Sequence, residues 1–88
     1  HISTLKSKME RLDKHSKHGA WTETVLQIIK NNPHLRAIEI AKQTGFEKEW
    51  LKLNIRKLKN LGLTISHNVG YELSPLGKEF VEKLLNEK

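Results

Sequence analysis

The feature that most restricts the fold is a change of apolar period at Leu61-Gly62. Before it, apolar residues recur in short blocks at helical spacing. After it, they alternate in twos. Leu63 and Ile65 alternate with Thr64 and Ser66, and Tyr71 and Leu73 alternate with Glu72 and Ser74. His67-Asn68-Val69-Gly70 lies between the two runs and has the composition of a turn. Residues 63–74 therefore predict a small β-hairpin.

The flanking blocks predict helices. Trp21, Val25, Leu26, Ile28 and Ile29 form one apolar face over about residues 20–30, and Asn31-Asn32-Pro33 stops it. A short helix follows over about residues 35–43, with Ala37, Ile40 and Ala41 inward. Thr44-Gly45 ends it, glycine being suited to a left-handed turn residue. A third helix is expected from about Glu47 to Asn60. Ser74-Pro75 reads as an N-cap and a proline in the first turn, opening a last helix over about 75–86 that carries Leu76, Phe80, Val81, Leu84 and Leu85.

In front of these, Ile2, Leu5, Met9 and Leu12 form an apolar stripe on a helix near residues 3–14, with Ser3 or Thr4 as its cap. The stripe either packs on the rest of the chain or takes part in a dimer. It is too short to stand alone as a coiled coil. Lys14 to Gly19 is a polar linker. His15 and His18 have a chelating i, i+3 spacing, but no acidic or cysteine partner completes a metal set, so a solvated basic loop is expected. Residues 1–19 thus read as an amphipathic helix with a basic linker, and 20–88 as the main domain.

The 88 residues are one domain's worth, too few for a Rossmann fold or a TIM barrel. With no cysteine, disulfides, thiolate zinc sites and thiol nucleophiles are excluded. There is no apolar run near the ~18 residues of a membrane span, nor the apolar stretch of a signal peptide. A cytoplasmic protein is expected, nucleoid-associated if it binds DNA. Because the chain opens at His1 rather than Met, a fragment of a longer protein is expected, and His1 itself reads as a cloning remnant. Sixteen Lys and Arg against ten Asp and Glu leave +6, a balance that favours polyanionic partners, nucleic acid first.

Two helices joined by a short turn containing Gly45, followed at once by a hairpin, have the order of a helix-turn-helix with a wing. From about Trp21 onward the chain resembles the winged helix-turn-helix transcriptional regulators, especially the MarR-like and related bacterial and archaeal groups. The residues that carry the resemblance are Ala37 to Gly45, then Leu51, Ile55 and Leu58, then Leu61-Gly62-Leu63, then Tyr71 to Gly77. The resemblance implies a mainly α fold with a small β-hairpin: a three-helix core plus wing, with extra N- and C-terminal helices. It also makes residues 47–60 the recognition helix.

Advancing ~100° per residue from Leu51 puts Ile55 and Leu58 on the buried face, and Lys48, Lys59, Lys52 and Arg56 on a basic flank at roughly 60–140°. The opposite side mixes Glu49, Leu53, Lys57 and Trp50. Segment 46–60 holds five cations against Glu47 and Glu49. A helix fits the major groove, where cations reach phosphates or guanine edges. Arg56 is the candidate for a bidentate base contact. Lys48, Lys52, Lys57 and Lys59 are expected on phosphates. Leu53 could touch a thymine methyl. Asn54 leans toward the core. His67 and Asn68 at the hairpin tip could add hydrogen bonds, His67 being otherwise a solvated turn residue.

Two features depart from the family pattern. Trp50 and Leu53 take outward positions usually filled by small polar or basic residues, where the N-terminal helix, a partner protein or thymine methyls could meet them, and residues 63–74 carry no Lys or Arg and one Glu. They motivate an alternative in which the domain docks a protein through Trp50 and Leu53, with Leu5, Met9 and Leu12 as further interface. A stand-alone regulator would dimerise through its first and last helices. No paired-carboxylate cleft, Gly-rich phosphate loop, nucleophile elbow or metal-ligand cluster is present in the sequence. An enzyme is therefore not expected, nor any cofactor or metal. The expected partner is double-stranded DNA.

Overall fold

A computed structural model describes residues 2–87; His1, Lys88 and the Ile2 side chain lie outside the described set. Five helices and one two-stranded antiparallel sheet follow in order: α1 (Ile2–Lys14), α2 (Thr22–Asn31), α3 (Ala37–Thr44), α4 (Lys48–Asn60), β1 (Thr64–Ser66), β2 (Tyr71–Leu73) and α5 (Pro75–Asn86). These bounds fall within about two residues of the periodic blocks, the scatter usual for helix ends. Because α1 already runs from Ile2, Ser3 and Thr4 lie within its first turn. Neither can be the residue that precedes and caps it, which corrects the expectation.

One core draws on every helix. Leu5 and Met9 of α1 meet Val25, Leu26 and Ile29 of α2, Ile40 of α3, Leu51, Ile55 and Leu58 of α4, and Phe80 and Val81 of α5. Leu63 and Leu73 close it from the hairpin base. Trp21, fully buried, fills the space at the start of α2, and its indole N–H donates to the Leu12 carbonyl at 3.4 Å. Leu5 and Met9 are therefore consumed within their own chain. Their expected place in a protein or dimer interface is corrected, because each gains more by joining this core than a separate short helix could gain from a partner. Leu12 is half-buried against the same core.

Asp13 joins α1 to α2. Its Oδ1 accepts the backbone N–H groups of Trp21 (3.0 Å) and Thr22 (2.9 Å), and its Oδ2 accepts the Thr22 hydroxyl at 2.9 Å. A carboxylate from outside the helix thus satisfies N-terminal donors that would otherwise lack partners. At the other end of the chain, the Ser74 hydroxyl accepts the Gly77 N–H at 2.9 Å with Pro75 in the first turn, the N-cap the sequence predicts.

The hairpin pairs Thr64 with Leu73, Ile65 with Glu72 and Ser66 with Tyr71. Its phase corrects the simple alternation. Leu63 precedes β1 rather than belonging to it, so Thr64 shares the inward face of Leu73 and is buried, whereas Ile65 shares the outward face of Glu72 and is exposed. The Thr64 hydroxyl is buried and finds no hydrogen-bond partner among the described residues. The α2–α3 loop adds a third edge. Tyr71 N–H donates to Leu35 O at 3.0 Å, and His34 N–H donates to Tyr71 O at 2.7 Å. Gly70 makes this approach possible: at φ +80 it crosses so close to the His34 carbonyl that a Cβ would overlap it.

Candidate functional site

The α3–α4 corner sets the direction of α4. Gly45, at φ 81, donates its N–H to Ala41 O at 2.8 Å, which turns the chain sharply. The Thr44 hydroxyl donates to Ile40 O and accepts the Phe46 N–H, fixing the exit. Leu51, Ile55 and Leu58 then bury one face of α4, with Asn54 beside them. Asn54 leans inward as its helical angle predicts, and its amide donates to Trp50 O at 2.8 Å. Lys48, Lys52, Arg56, Lys57, Lys59 and Leu53 are exposed.

Lys48 and Lys52 form one bank of an open groove of about 400 Å³, and Ser66, His67 and Asn68 of the hairpin form the other. Four predicted site residues, Lys48, Lys52, His67 and Asn68, are thereby brought together. Arg56 continues the Lys48–Lys52 row by one further turn. Its charge reaches Tyr71: burial raises the Tyr71 phenol above its ordinary value, and Arg56 partly opposes that rise. Lys59 lies on the same flank by helical angle.

Among the described residues, none of the five α4 cations makes an ion pair or a hydrogen bond. Two of the nearby acids, Glu47 and Glu72, are engaged elsewhere, while Glu49 is exposed in the first turn of α4. Glu47 takes His18 Nε2 at 2.7 Å and Lys17 Nζ at 3.0 Å. These contacts, His18 first, hold its carboxyl down at about 2. Glu72 lies 2.9 Å from His67 Nε2, and that hydrogen bond lowers its carboxyl below the usual range. His67 is therefore no free turn residue, because Glu72 holds one side of its ring and the His34 ring lies 4.9 Å away. The pairing follows from the hairpin register, which sets Glu72 near the tip on the same bank.

The other side of α4 differs from expectation. Trp50 is half-buried, because the α1–α2 linker folds over it. Its ring meets Trp21 edge-on at 5.2 Å, Phe46 at 5.3 Å and His18 at 4.5 Å. Its outward angle is real, and the linker covers part of the ring, so Trp50 is half-buried rather than fully exposed. Leu53 remains 56% exposed. Lys57 turns away from the hairpin and lies with Arg11 and Leu12 on the α1 side, which removes it from the groove set.

Arg36 also lines the hairpin groove and was not singled out from sequence. Its position just before α3 was the available signal, since a residue at a helix start is held in place. Here the Glu39 carboxylate accepts the Arg36 N–H at 2.9 Å. His15 is exposed, and among the described residues no three His, Cys, Asp or Glu side chains converge as a metal set would. No helix among them is long and apolar enough to cross a membrane. No protein-family model, curated protein or solved structure matches the chain.

Proposed function

We propose that this chain is a winged helix-turn-helix domain that binds duplex DNA. In this reading α3 and α4 are the helix-turn-helix, α4 is the recognition helix and β1–β2 is the wing. The observation that carries it is the row of Lys48, Lys52, Arg56 and Lys59, exposed and unpaired along one flank of α4 beside the hairpin groove. A solvated surface helix usually interleaves cations with acids. Within this flank only cations occur; Glu49 lies at its edge next to Arg56 by helical angle, and Glu47 is tied to the linker.

The division of labour follows from side-chain chemistry. The Arg56 guanidinium presents a planar fork suited to guanine O6 and N7. Lys48, Lys52 and Lys59 act as point charges on phosphates and give affinity without sequence information. Arg36, across the groove, has its guanidinium 3.4 Å from the Glu39 carboxylate and is not counted among these contacts. The hairpin carries no cation, so its contribution is hydrogen bonding from His67 and Asn68 rather than charge. Such a domain serves as a transcriptional regulator or as the DNA-binding module of a larger protein.

The test is titration into fluorescent random-sequence duplex DNA at several salt concentrations. We expect log K to fall with log salt by several times ~0.9, one increment per phosphate contact. Folded protein that shows no binding at low salt overturns the reading.

A further inference from the structure

A second surface lies on the opposite side of α4. Two adjoining hollows, of about 450 Å³ and about 310 Å³, run between the end of α1 and α4 and share Arg11, Leu12 and Lys57. Their floor is apolar: Leu12, Trp50, Leu53 and Leu61. Their rim is cationic: Lys8, Arg11, Lys17 and Lys57. Neither hollow is lined by an Asp or a Glu. Lys8, Arg11 and Lys57 have no ion pair among the described residues. The Trp50 indole N–H likewise has no hydrogen-bond partner among them.

We infer that this groove docks an acidic amphipathic helix from a partner protein. An apolar floor with a charged rim is the arrangement that takes a helix's apolar stripe and pairs its flanks. The anchors would seat on Leu12 and Leu53, and carboxylates would meet Arg11, Lys57 and the free indole N–H. Nucleic acid fits poorly, because four apolar side chains offer nothing to a phosphate. A symmetric contact with a second copy fits poorly too, since it would set this cationic rim against itself. The inference stands independently of the DNA reading, which uses the other flank of α4.

The probe is a fluorescein-labelled helical peptide of about fourteen residues, with Leu and Phe at i, i+3, i+4 and i+7 and Asp or Glu elsewhere. One control replaces the acids with Lys, and another replaces the apolar anchors with Ser. Binding of the acidic peptide alone is expected, with amide shifts in the protein centred on Leu12, Leu53 and Lys57 and a shift of the Trp50 indole N–H. Leu53→Ser and Arg11→Glu should each weaken it by about fivefold to tenfold. Both residues are exposed, so these variants keep the fold, which a far-ultraviolet spectrum verifies. Equal binding of the Ser control would mean charge attraction alone and overturns the inference. Shifts confined to Lys48, Lys52 and the hairpin overturn it as well, since the peptide would then be a polyanion on the other flank. So does self-association that Leu53→Ser abolishes, which would assign the groove to a second copy, and so does failure of all three peptides to bind.

Discussion

Replacing Lys52 and Arg56 together with Ala tests the α4 flank most directly. Four unpaired cations, Lys48, Lys52, Arg56 and Lys59, lie along it. On random-sequence duplex, where Arg56 meets a phosphate in place of a guanine edge, one phosphate per cation gives a slope of log K against log salt of about −3.6 in the parent and about −1.8 in the double variant. Each contact is then worth ~0.9 log units at 0.1 M salt relative to 1 M, so the double variant should bind roughly 60-fold more weakly at 0.1 M. Between 50 and 200 mM salt the parent should lose about 150-fold in affinity and the variant about 12-fold. Anisotropy of labelled duplex reads both quantities. Neither side chain makes an ion pair or side-chain hydrogen bond among the described residues, so stability should change by less than about 0.5 kcal/mol. Lys6→Ala with Lys83→Ala, on α1 and α5, removes the same net charge at positions that do not line the groove. An unchanged slope in the α4 variant, or an equal drop in the Lys6 and Lys83 control, would refute the assignment.

Three further outcomes are expected. Asp13→Ala removes the acceptor of two backbone N–H groups and a hydroxyl at the start of α2, and should cost about 2 kcal/mol in chemical denaturation, with Asp13→Asn losing less; equal stability of Asp13→Ala and the parent would contradict the capping role. Gly70→Ala drives a Cβ into the His34 carbonyl at a backbone φ of +80, and should destabilise by about 2 kcal/mol or more and speed hydrogen exchange at Tyr71 and His34; an unshifted melting curve would show that the loop and hairpin are not held together there. Glu47 has its carboxyl lowered from 4.5 to about 2, so its contribution to stability is present above about pH 4.5 and disappears as pH falls through about 2. The stability gap between the parent and Glu47→Gln should therefore narrow between pH 6 and pH 2, and a gap constant over that range would rule out the clamp of Lys17 and His18 on Glu47.

The helices and the hairpin were legible in the chain because each announces itself by a one-dimensional period. A 3.6-residue recurrence of Leu51, Ile55 and Leu58 can bury one face only as a helix, and that same face leaves Lys48, Lys52 and Arg56 in solvent. Ser74-Pro75 and Gly45 were legible for a similar reason, since capping and left-handed turns are local chemistry. The phase of β1 was less so. Whether Leu63 belongs to the strand decides whether Ile65 or Thr64 points inward, and only the pairing with Leu73 and Glu72 answers that.

By itself, then, the sequence determined which segments are helical, where they stop, and which side of α4 carries uncompensated charge. Tertiary structure decided what lies opposite each face. A helical angle states the direction in which Trp50 points, but not that His18 and the linker come back to cover it. An apolar stripe states that Leu5 and Met9 must be buried, but not whether by their own chain or another. The groove between α4 and the hairpin joins Arg36, Lys48, Lys52 and His67, whose separations along the chain carry no periodic signal. Contacts of that kind depend on how separately stable elements pack, and that packing is set by the whole core rather than by any local run of residues.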